Sequence, residues 1–249
     1  MFGFNLSQIA LVLCLSQIPG STSQSAIHSA TFVYTNPSSM QTMKSWLLCG
    51  SFPIKTVTPE AQFVRKNNNR GVNALDDSIY KAAFEFDYLT EQGGETQSHP
   101  SEGEPVVVAG NSYSWKLFSV PSDEIDLRSL FNPSEDVVVY AYAEIDMPTA
   151  KPMILSFGSD DGIKVWLNGQ PIFEKFTGRS FQLDEDFVEA QLLQGKNRLL
   201  IKIQNMTLDY SFSCRLIDRD DAKKLEFKKK NPNSVHYFFN LFSGFFHND

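Results

Sequence analysis

Asp160 and Asp161 are adjacent carboxylates that stand just ahead of Gly162 and the strand-like run Ile163-Lys164-Val165-Trp166-Leu167. On a tight loop between two strands such a pair can offer several hard oxygens to one Ca2+. The same residues also suit a plain turn, because an Asp side chain accepts hydrogen bonds from nearby backbone N–H groups. Both readings stay open at this point. A second chemistry is stacking, in which a flat ring lies against the C–H face of a pyranose while polar neighbours fix its hydroxyls. Trp115, Tyr140, Tyr142, Trp166 and Tyr210 are the candidates, with core packing as the competing use, since large rings dominate the interiors of small β-domains. Tyr140 and Tyr142 share a strand face with Glu144, so that face is expected to be partly wet. Trp46 is expected in the core.

Catalytic pairings are harder to assemble. No nucleophile has a base at a spacing that defines a triad. The histidines, His28, His99, His236 and His247, fall in a linker, a loop and the tail without paired-ligand spacing. The run Asp184-Glu185-Asp186 sends neighbouring carboxylates to opposite faces of a strand, whereas a glycoside-cleaving pair sits about 5 to 9.5 Å apart across its substrate.

The elements that would carry these residues read as an all-β chain. Its aromatic content is led by Phe, with Gly and Pro spread along its 249 residues, which favours sheets and turns over long helices. Strands are predicted at Trp46–Phe52, Val106–Ala109, Tyr113–Val120, Val137–Ile145, Met153–Phe157, Val188–Leu193, Leu199–Ile203 and Ser211–Ile217, with a short helical turn over Asp76–Phe84. The strongest local signal is Ile163–Leu167, Asn168-Gly169, Gln170–Phe173, because Asn-Gly supplies the positive φ angles of a two-residue hairpin turn. Short strands at this spacing argue for an antiparallel sandwich or jelly roll.

Residues 1–23 read as a candidate signal peptide, with an apolar run Ile9–Leu15 and small polar residues near Ser23, although no Lys or Arg precedes Lys44. The run is too short to span a bilayer, which takes about 20 residues, so no transmembrane span is expected. Residues 24–44 read as a polar linker, 45–217 as the sandwich domain, and 218–249 as a charged and then Phe-rich extension. The expected location is secreted, periplasmic or at the cell surface. A net charge of -7 repels a phosphate backbone, so nucleic acid is not an expected partner. Once a signal is removed, Cys49 and Cys214 are the remaining thiols and form a candidate disulfide, with two buried free thiols as the alternative. Such a bridge would contribute about 4 to 5 kcal/mol in the chain-entropy picture.

The segment Gly158-Ser159-Asp160-Asp161-Gly162 with Ile163–Gly169 resembles the galactose-binding-like and protective-antigen-like sandwich modules of secreted bacterial proteins. Trp46–Phe52 is similar to their opening strand, Asp87-Tyr88-Leu89 with Gly93-Gly94-Glu95 to an early loop, and Gly195–Lys202 to a late turn and strand. The chain departs from the pattern at Ser51, where Pro is common, and at Tyr210, Phe212 and Cys214, where a Trp-Gly pair is common. The resemblance implies a jelly roll that recognises carbohydrate, with the Asp160-Asp161 pair binding calcium and through it sugar hydroxyls. The leading expectation is therefore a non-catalytic exported carbohydrate-binding module. A structural or adhesion sandwich that docks other proteins, using the Phe-rich tail, is the second, and a polysaccharide-cleaving enzyme the third.

Overall fold

The computed structural model describes residues 31–67 and 73–230. Its strands are β1 (Val33–Thr35), β2 (Gln41–Thr42), β3 (Ser45–Pro53), β4 (Lys66–Asn67), β5 (Asn73–Ala74), β6 (Pro105–Val108), β7 (Asn111–Ser114) and β8 (Lys116–Ser119). They continue with β9 (Ile125–Asp126), β10 (Val137–Met147), β11 (Lys151–Asp160), β12 (Gly162–Leu167), β13 (Gln170–Lys175), β14 (Asp186–Leu192), β15 (Gly195–Asn205) and β16 (Ser211–Ile217). Helices are α1 (Asp77–Glu85), α2 (Leu127–Leu130) and α3 (Arg219–Lys230). A seven-stranded sheet runs β13-β12-β15-β10-β3-β8 with β1 beside β10, and a five-stranded sheet runs β14-β11-β16-β2 with β9 beside β16. The fold is an antiparallel β-sandwich, as its sequence predicts.

The middle strand β10 shows why the sheets face each other. Its β-branched, aromatic and small residues alternate without Gly or Pro. Val137, Val139, Ala141, Ala143, Ile145 and Met147 enter the core between the sheets, where they join Leu155, Phe157, Phe212 and Leu216 from the opposite layer. Trp46 of β3 meets Phe212 of β16 edge-on, with ring centroids 5.4 Å apart. The Asn168-Gly169 hairpin forms as expected, with φ of 53° and 81° at its two turn residues and β12 paired to β13 across it. Gly169 has a second reason to be glycine, since a Cβ there would run into the Thr96 carbonyl.

Two features differ from the sequence expectation. The other face of β10 is not wet: Val138, Tyr140 and Tyr142 are fully buried in a second core with Phe52, Tyr88, Leu89, Val106, Trp115 and Trp166. Tyr88, Leu89, Val106, Val108 and Trp115, from the described part of the connection between β3 and β8, cover this outer face. Glu144 is also buried, 1% exposed, and is paired with His99 and Lys196. The predicted linker is partly structural, for β1 pairs in parallel with β10 and β2 pairs with β16, burying Tyr34 and Met43. The charged stretch after Asp218 forms α3. The candidate signal residues 1–23 and the Phe-rich tail beyond 230 lie outside the described residues. Among those described, no helix is long and apolar enough to cross a membrane.

The expected Cys49–Cys214 bridge is also corrected: both are free, buried thiols. Cys49 projects into the outer core of the seven-stranded sheet, whereas Cys214 projects into the core between the sheets. Its sulfur lies 3.6 Å from the Met43 sulfur. Because strand side chains alternate faces, no small shift brings the two together. Burial pushes the Cys49 thiol up to about 12 and raises that of Cys214 further, which suppresses the reactive thiolate. The folded protein should therefore leave both unmodified by a thiol reagent, and both should react in denaturant without added reductant. A mass two protons lighter in the unreduced denatured chain would contradict this.

Candidate functional site

The Asp160-Asp161 pair closes β11 and opens the turn into β12, joined by a cis peptide bond. Both residues are buried, at 4% and 0% exposed. Asp161 accepts the Arg179 N–H at Oδ1 and the Met206 N–H at Oδ2, each at 2.8 Å. Asp160 accepts the Phe181 N–H at 3.2 Å. The segment 179–181 is thus tied down over the pair, and its Arg179 guanidinium donates to Ser159 Oγ at 2.6 Å and pairs with Glu185 and Asp186 at 3.0 and 2.7 Å. A calcium ion needs six to eight oxygens turned toward it. Here the carboxylates are turned to backbone donors, and among the described residues no group of three acidic, His or Cys side chains is placed to hold a metal. As arranged, this corner does not fit calcium; it fits a turn that anchors a loop.

The other motifs of the resemblance interlock in the same way. Asp87 accepts the Leu89 N–H at Oδ1 and the Glu95 N–H at Oδ2, at 2.8 and 3.0 Å. This close return leaves no room for a side chain at Gly94, where a Cβ would lie 2.6 Å from Asp87 Oδ2. Glu95 then receives the Tyr140 hydroxyl at 2.6 Å and the Lys202 ammonium at 2.9 Å, while Lys202 also donates to the Phe86 carbonyl at 2.6 Å. Asn197, fully buried, accepts the Leu193 N–H at 2.8 Å and donates to the Leu193 and Gly195 carbonyls. Asn168 receives the Arg198 N–H at 2.8 Å. Each of these groups makes hydrogen bonds inside the fold.

The five aromatic candidates are spent as well. Trp115, Tyr140, Tyr142, Trp166 and Tyr210 are each 3% exposed or less. Tyr210 donates its hydroxyl to the Ile203 carbonyl at 2.8 Å, and Trp115 stands edge-on to Tyr142 at 6.5 Å. None of these rings presents an open face. The structure gathers Trp115, Tyr140, Tyr142 and Trp166 in the outer core, and Tyr210 in the inner one. The Asp184-Glu185-Asp186 run is committed to ion pairs, with Asp184 held by Arg215 at 3.0 Å and by Ser156 at 2.7 Å, and Asp186 by Lys175 at 2.8 Å and by Arg179.

An open concavity lies elsewhere, along the edge of β3. The predicted strand Tyr113–Val120 breaks at Trp115, whose N–H bonds the Glu104 carbonyl and whose carbonyl receives the Gly103 N–H, at 3.0 and 2.8 Å. Its ring turns into the outer core, β7 pairs with β6, and only β8 remains on β3, opposite Ser45–Leu48. Beyond Leu48 the β3 edge is left without β8, and a groove of about 640 Å3 opens there, bounded by the start of β8 and by residues 130–133. Three half-buried rings line it: Tyr113, Phe118 and Phe131. Phe118 and Phe131 have centroids 6.2 Å apart, and Tyr113 leans on Phe52 at 4.6 Å. Ser112, Ser114 and Asn132 add hydroxyl and amide groups, while Ser51 Oγ donates to the Pro133 carbonyl at 2.7 Å and fixes the rim. Sequence reasoning missed this set because its members come from three separate stretches.

No family model matches the chain, and no curated protein matches it. Solved structures with partial similarity include a β-glucosidase from Kluyveromyces marxianus, at 12% identity and a TM-score of 0.36 over 49% of this chain and 16% of that one. A β-glucuronidase from Ruminococcus gnavus gives 12% and 0.37 over 75% and 30%. The PA14 domain of the MpAFP antifreeze protein gives 15% and 0.29 over 33% and 43%. The chain therefore spans less than half the length of each of these proteins.

Proposed function

We propose that this chain is a non-catalytic, exported carbohydrate-binding module whose contact surface is the groove beside β3. The observation that carries the reading is the lining itself. Rings that are half-buried keep one face for the C–H surface of a sugar, and hydroxyl and amide groups stand beside them for its hydroxyls. Asp160 and Asp161 have a different role in this reading: they anchor the loop at 179–181, and binding proceeds without calcium. Export follows from the apolar run Ile9–Leu15 and belongs to the same proposal.

The test is thermal unfolding of the full chain across a panel of soluble polysaccharides, each with and without Ca2+, since a ligand that binds only the folded state raises the midpoint. At least one polymer should raise it, equally with calcium and with a chelator. Phe131→Ala should weaken that polymer by about tenfold or more, the usual cost of truncating a ring at a contact centre. A rise that appears only with calcium would move the site to Asp160-Asp161, and a panel without any rise would remove the carbohydrate reading.

A further inference from the structure

We infer that the groove selects polysaccharides whose rings carry carboxylates, through Lys116. The inference rests on the groove being the binding surface, and adds the chemical class of ligand. The molecule as a whole is acidic, with a net charge of -7, so its average surface repels a polyanion. The groove's lining differs, with Glu102 and Glu104 flanking it on either side of Gly103 and Glu102 Oε1 accepting the Leu117 N–H at 3.4 Å. Among the described residues no carboxylate lines it, and Lys116 is its one charged side chain. Lys116 is exposed at the start of β8, held in place through the backbone pairing of β8 with Leu48.

Its charge is uncommitted. Lys44, Lys164, Lys175, Lys196 and Lys202 all meet carboxylates within 3.3 Å, whereas Lys116, like Lys55, Lys81 and Lys151, makes no ion pair among the described residues, and of these four it alone lines the groove. An ammonium is three donors with no acceptor, and beside Ser112, Ser114 and Asn132 it supplies what a sugar hydroxyl does not require and a uronate carboxylate does. Rings for the C–H face, small polar groups for hydroxyls and one cation for a carboxylate together describe a uronic acid unit in an extended chain. A single exposed ammonium–carboxylate contact corresponds to a preference of about two- to fivefold per site, and it weakens as salt screens it.

The experiment is native affinity electrophoresis of the full chain in gels holding polygalacturonate or neutral galactan, at low and high salt. The parent should be retarded about two- to fivefold more strongly by polygalacturonate at low salt, with the ratio shrinking at high salt. Lys116→Gln should bring the ratio to about one, Lys116→Arg should keep it, and Lys116→Glu should push it below one. Equal retardation by both polymers overturns the assignment to Lys116 and leaves the groove reading standing. A polygalacturonate preference that persists in Lys116→Gln also overturns it, and so does retardation by neither polymer, in which case the polysaccharide panel decides the groove reading by itself.

Discussion

Asp161→Ala should cost about 3 to 5 kcal/mol of folding stability, because it strips the acceptor from two buried backbone donors at once. The Arg179 and Met206 N–H groups each lie 2.8 Å from a different oxygen of this carboxylate, at a position with no exposure, the Arg179 donor buried and the Met206 donor half-buried. Asp161→Asn separates charge from hydrogen bonding. Its amide keeps one acceptor oxygen and turns an NH2 donor toward the other N–H, so it should lose more than half of what Ala loses. Urea unfolding measures both, with an unchanged denaturant slope showing that the effect is one of stability. A cost below about 1 kcal/mol for Asp161→Ala would mean that the carboxylate is not anchoring the loop, and would reopen its use for a ligand.

The second large effect belongs to Glu95 and Lys202. Lys202→Met should destabilise by about 3 to 5 kcal/mol by leaving a buried carboxylate without its cation, and Glu95→Gln by a similar order, whereas the double variant should recover most of either loss. The reason is that burial opposes both charges. Desolvation raises the Glu95 carboxyl above its ordinary 4.5 and lowers the Lys202 ammonium below its ordinary 10.5, outweighing their mutual attraction in each case.

The pH dependence has a definite sign. A raised carboxyl stabilises the fold fully only below about 4.5, and that contribution is lost as pH climbs through the raised value. A lowered ammonium stabilises the fold fully only above about 10.5, and that contribution is lost as pH falls through the lowered value. Because burial opposes each charge, removing both groups is tolerated better than removing one. A double-mutant cycle from denaturation curves reads the coupling. Single and double costs that simply add would contradict it.

How far these features could be read in advance depends on how local their signals are. The hairpin at Asn168-Gly169 and the long strand β10 were legible because two residues set the turn and period two sets the faces. The sandwich followed from them. What covers the second face of β10 was not legible, because Val138, Tyr140 and Tyr142 look the same beneath a loop as beneath a solvent layer that Glu144 would suit. The cover comes from the stretch between β3 and β8, and Glu144 finds His99 and Lys196 from distant positions.

The cysteines held a readable signal. With Trp46 and Leu48 in the inner core, period two already places Cys49 on the opposite face from them, away from a partner strand in the other sheet. Asp87, Gly94, Glu95, Lys202 and Asn197 close loops onto strands, which says how the scaffold is held and little about what it holds. The groove was the least legible part, since Tyr113, Phe118 and Phe131 meet only after β7 departs from β3.

The most direct test of the groove is to titrate the isotope-labelled chain with a polymer-derived oligosaccharide and map which backbone amide signals move. The account predicts shifts concentrated at residues 48–53, 112–118 and 130–133, with the amides of Arg179, Phe181 and Met206 unmoved. Shifts centred on Asp160, Asp161 and the loop at 179–181 would contradict it and place recognition at the carboxylate pair.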